Sequence, residues 1–65
     1  MTRLEEQKNE LKRLIKLDTL RLAAAKGMFD LAVFEEEPET AKRWFGRYAR
    51  TLATLKTKLE LYKSF

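Results

Sequence analysis

Glu35-Glu36-Glu37-Pro38-Glu39-Thr40 is the only clear punctuation in this chain of 65 residues. The residue before a proline avoids helical angles, because the pyrrolidine ring crowds its backbone. Glu37 is therefore expected outside a helix. Proline itself suits the first turn of a helix, where its missing N–H would have no partner anyway. The Glu39 carboxylate favours the same place, at the positive end of the helix dipole. The segment thus predicts a turn over residues 35–37 with a helix on either side. A connection this short makes the two helices antiparallel neighbours.

Working back from the turn, no proline interrupts the chain, and helix 1 is read over residues 3–34. Thr2-Arg3-Leu4-Glu5 has the spacing of a capping box, with a hydroxyl at the N-cap and a carboxylate three residues on. Working forward, helix 2 is read over residues 38–63. There Ala41, Phe45, Tyr48, Leu52, Leu55, Leu59 and Tyr62 alternate spacings of four and three, a heptad seam. With equal rise on both sides of the turn, Phe45 should lie near Met28, Tyr48 near Ala25 and Leu59 near Leu14. The expectation is a single all-α domain over residues 1–65, an antiparallel, coiled-coil-like two-helix hairpin. The alternative is three helices, with a break where Gly27 follows Lys26 and serves as a C-cap.

Helix 1 carries more apolar surface than such a hairpin uses. At 100° per residue, Leu14, Ile15, Leu17, Leu20, Leu22, Ala24, Ala25, Met28, Phe29, Leu31 and Ala32 cover more than half of its circumference. A helix packed on one neighbour needs a stripe of roughly 100° or slightly more. The excess predicts a partner, either a second copy completing a four-helix bundle or a larger protein. The residues expected at such an interface are Leu14, Leu17, Leu22, Phe29, Leu31, Phe45, Leu52, Leu55 and Leu59. The function that follows is a non-enzymatic helical interaction or oligomerisation module. The small residues Ala23-Ala24-Ala25 opposite Trp44, Phe45 and Tyr48 would let layers interlock. Asp18 and Arg21 fall inside the apolar arc. Arg21 is expected to snorkel and Asp18 to sit at the rim; the other reading is a buried ion pair that fixes register or partner choice.

Composition removes most chemistry. The chain has no Cys and no His, so disulfides, thiolate metal sites and the commonest general base are missing. The only Ser is Ser64, near a helix end that should fray. Glu35, Glu36, Glu37 and Glu39 lack the alternating oxygen ligands and loop glycine of calcium loops. No phosphate-binding glycine loop is present. No catalytic residue, metal or cofactor is expected. The Trp44-Phe45-Gly46 tripeptide lies inside helix 2 and identifies no family.

The formal net charge is +4, and the excess is concentrated. Helix 2 carries seven basic side chains against Glu39 and Glu60, a net of plus five. Arg43, Arg47 and Arg50, extended by Thr54 and Lys58, form one stripe opposite the seam. That stripe supports the alternative function, a basic hairpin that tracks nucleic-acid phosphates through Arg43, Arg47, Arg50 and Lys58. A membrane surface is disfavoured, because the seam of helix 2 has the narrow geometry of helix–helix packing. The N-terminus, Met1-Thr2-Arg3-Leu4-Glu5-Glu6, places acids where the apolar core of a signal peptide should begin. A cytoplasmic location is the expectation.

Overall fold

The described residues form two helices: α1 spans Arg3–Phe34 and α2 spans Pro38–Lys63. The structure is a computed structural model that describes residues 2–65. α1 runs through Gly27 without a break, so the hairpin has two helices and not three. Its start is capped by the Thr2 hydroxyl, which accepts the Glu5 N–H at 3.2 Å, satisfying one of the orphan donors of the first turn. Glu5 and Glu6 place negative charge at the same end.

The acidic segment closes α1 in a specific way. Glu36 has φ of 57°. Its N–H donates to the Val33 carbonyl at 3.1 Å, and the Glu37 N–H donates to the Ala32 carbonyl at 2.9 Å. This pair of bonds is a Schellman motif, which satisfies two of the last carbonyls of a helix. Glu37 then stands before Pro38, outside both helices as expected. Its carbonyl accepts the Ala41 N–H at 2.9 Å and starts α2.

The helices meet along one seam. On α1 it is formed by Leu11, Ile15, Asp18, Leu22, Ala25, Phe29 and Ala32, at spacings of four and three, all buried or half-buried. On α2 it is formed by Ala41, Trp44, Tyr48, Thr51, Leu55, Lys58 and Tyr62, likewise. The α2 seam read from the sequence shares Ala41, Tyr48, Leu55 and Tyr62 with this set but differs between them. Trp44, Thr51 and Lys58 turn inward, while Phe45 and Leu59 are exposed and Leu52 is half-buried. The physical reason lies across the seam. Asp18 is buried on α1, and a buried carboxylate requires a cation, which only the Lys58 side of α2 supplies at that level. Phe45 meets Phe29, with ring centroids 5.8 Å apart, one residue from its expected neighbour Met28. The Lys8 ammonium over the Tyr62 ring, 5.4 Å from its centroid, closes the open end.

A glutamate in the left-handed region carries a Cβ clash that glycine avoids. Glu36→Gly is expected to raise stability by about 1 kcal/mol, read as a shift of the urea midpoint followed by circular dichroism. A lowered midpoint would contradict this closure of the turn.

Candidate functional site

Three surfaces stand out, and the seam defines each of them. The first is the charged layer within the seam. Asp18 is 3% exposed, not at the rim as the sequence suggested. Lys58 Nζ donates to its Oδ2 at 2.6 Å, and Arg21 approaches the other carboxylate oxygen at 3.6 Å. The Lys58 side chain is 23% exposed, whereas that of Arg21 is 70% exposed. Asp18 is therefore held between an inward lysine and an arginine that snorkels, as expected, from the edge. Among the described residues, no buried side-chain N or O lacks a hydrogen-bond partner, so the layer leaves no buried polar atom unsatisfied.

The second surface is basic. Arg43, Arg47 and Arg50 are all exposed on α2, but Arg47 and Arg50 flank the seam beside Trp44 and Thr51 and do not lie opposite it as the sequence pattern placed them, because the seam itself is rotated. Lys58 leaves this stripe, since its ammonium is bound to Asp18. The Thr54 hydroxyl donates back to the Arg50 carbonyl at 2.9 Å. Arg47 lies over the Trp44 ring, 4.9 Å from its centroid. Arg21, Arg47 and Arg50 surround a shallow cleft of about 440 Å³, with Trp44 and the small side chains Ala24 and Ala25 among its walls. Elsewhere on α1 the exposed Glu10 is paired with Arg13, and this hydrogen bond holds its carboxyl below the ordinary value. Such an exposed pair adds little to stability.

The third surface is apolar and divides in two. On one side of the seam lie Ile15, Leu22 and Phe29 of α1 and Phe45, Leu52 and Leu59 of α2, each row at intervals of seven. Phe29 meets Phe45 there, and all but Phe45 and Leu59 are half-buried. The outward side of α1 is uncovered. Leu20 is 68% exposed, Leu31 47% and Phe34 84%, and Leu17 and Met28 also stand open. Of the residues expected at an interface, Leu55 is buried, and Leu14, Leu22, Phe29 and Leu52 are half-buried. Leu17, Leu31, Phe45 and Leu59 are exposed. These nine therefore do not form one surface: some belong to the hairpin seam and its flank, others to the far side of α1. Leu20 and Phe34 were missed as site residues. A second pass of the heptad pattern along α1, starting from Leu17, would have found both.

No helix among the described residues is long and apolar enough to cross a membrane. Comparison with protein-family models, curated proteins and solved structures finds no match for this chain.

Removing one partner from a buried ion pair strands the other, whereas replacing both by apolar groups is often neutral or stabilising. Asp18→Leu alone is expected to cost about 1–3 kcal/mol, and its combination with Lys58→Leu, set against each single, to recover most of it. Urea unfolding of the singles and the double measures the coupling. Additive single effects would show that the two side chains do not interact.

Proposed function

We propose that this chain is a helical interaction module, which assembles with other helices through the apolar side of α1 that α2 leaves open. The observation that carries this reading is the exposure of Leu20, Leu31 and Phe34 on a helix whose seam with α2 is already filled. Large contiguous apolar patches on small soluble domains mark interaction sites. The thinness of the hairpin's interior supports the same reading. Among the described residues only Ala25, Ala32, Ala41 and Leu55 are buried apolar side chains, and three of the four are alanines. A domain of this size, with no cysteine to form a disulfide, generally draws further stability from association.

A second reading rests on the clustering of Arg21, Arg47 and Arg50 beside Trp44. Guanidinium groups at this density attract phosphates, and a nucleic-acid backbone is the polymer that presents them in series. The aromatic ring there is already covered by Arg47, so this reading invokes backbone phosphates and not base stacking.

Light scattering over a concentration series tests the first reading. The expected result is a mass above that of one chain, rising with concentration, and a melting temperature that rises with it. A single chain at millimolar concentration, with unfolding independent of concentration, would remove it. For the second, filter binding to RNA and duplex DNA should weaken steeply between low and physiological salt, and Arg47→Glu with Arg50→Glu should abolish it. Retention that ignores both salt and charge reversal would exclude phosphate binding.

A further inference from the structure

The outward side of α1 has a pattern of its own. Leu17, Leu20, Ala24, Gly27, Leu31 and Phe34 recur at spacings of three, four, three, four and three, a second heptad stripe well round the helix from the seam with α2. All six are exposed. The stripe reads the same from both ends. About a point between Ala25 and Lys26, Leu17 mirrors Phe34, Leu20 mirrors Leu31, and Ala24 mirrors Gly27. Large residues thus mirror large ones at the ends, and small mirrors small at the centre.

Gly27 is unexplained within the hairpin. A Cβ built on it would meet nothing within 4 Å, yet a mid-helix glycine weakens the helix. Its place beside Ala24, at the centre of the mirror, is where two helices would approach most closely.

The charges beside the stripe fix a direction. One flank carries Lys16, Ala23 and Asp30; the other carries Arg21, Met28 and Glu35. In an antiparallel pair, each flank faces the same flank of the other copy. Lys16 then comes within reach of Asp30 of the second copy, and Arg21 within reach of its Glu35, each contact made twice by symmetry. In a parallel, in-register pair, opposite flanks meet. Lys16 would face Arg21 and Asp30 would face Glu35, four repulsive contacts. Charges at these flanking positions set orientation in paired helices, and here they favour the antiparallel one.

We propose that α1 pairs antiparallel with α1 of a second copy of this chain along Leu17, Leu20, Ala24, Gly27, Leu31 and Phe34, about a twofold axis between Ala25 and Lys26. The pairing rests on the interaction-module reading and specifies its partner, face and register. It makes an isologous contact, the commonest way for two identical chains to close on each other. The resulting order is α2, α1, then α1 and α2 of the second copy, with the arginine stripes on the outer helices.

The chain has no cysteine, so introduced thiols report only the designed contact. Leu20→Cys mixed with Leu31→Cys, under mild oxidation, should give a disulfide-linked heterodimer. Each variant alone should stay largely unlinked, because its thiols would be separated by eleven residues of helical rise, roughly 17 Å. Linking of each variant with itself indicates a parallel pair, and absence of any linking indicates another face or a foreign partner; both overturn the proposal. Gly27→Gln, placed in open space, should keep the helix content of the single chain and weaken self-association more than tenfold by sedimentation equilibrium. Unchanged association overturns the register. Self-association with the wrong linking pattern sinks this pairing but leaves the module reading standing. A chain that never associates sinks both.

Discussion

The hairpin has a single seam, and every other property of the molecule follows from that limit. Two helices side by side form a rod with extents of 51 × 15 × 12 Å, and neither helix has a second neighbour to cover its far side. α2 exposes Arg43, Arg47 and Arg50, which prefer water, but also Phe45, Leu59 and Leu61. The far side of α1 exposes Leu17, Leu20, Leu31 and Phe34. The single seam therefore leaves apolar surface on both helices, with the larger share on α1, and wetting it costs free energy.

Within the seam, the Asp18–Lys58 contact is tied to one rotation of α2. An apolar pair in its place would pack without the desolvation that two charges suffer. Turning α2 so that Phe45 and Leu59 faced α1 would leave Asp18 buried without its cation. The cost is that Phe45, Leu52 and Leu59 lie to one side, where Phe45 rests against Phe29 and keeps part of its ring in water.

Charge is also distributed along the rod. The turn is acidic through Glu35, Glu36, Glu37 and Glu39, while α2 is basic. α1 has cations towards its middle and anions towards the turn, so its outward face is electrostatically polar from end to end. A face of that kind meets its own copy favourably in one orientation and unfavourably in the other.

The sequence by itself marked the first cap and the turn, while the structure decided that α1 runs on through Gly27 and that the helices number two and not three. Pro38, the residues before it and the Thr2 cap act through local sterics and hydrogen bonds that operate within a few residues. The sequence also showed that α1 has too much apolar surface for one neighbour, because circumference is a property of one helix alone. Only the tertiary structure decided which part of that arc faces α2, that Asp18 lies inside the seam, and that Lys58 leaves the basic stripe to meet it. Those outcomes depend on the relative rotation of two helices, set by a contact between residues forty positions apart. No local pattern encodes that angle, and the split of α1 into an inner and an outer stripe becomes visible only once it is known.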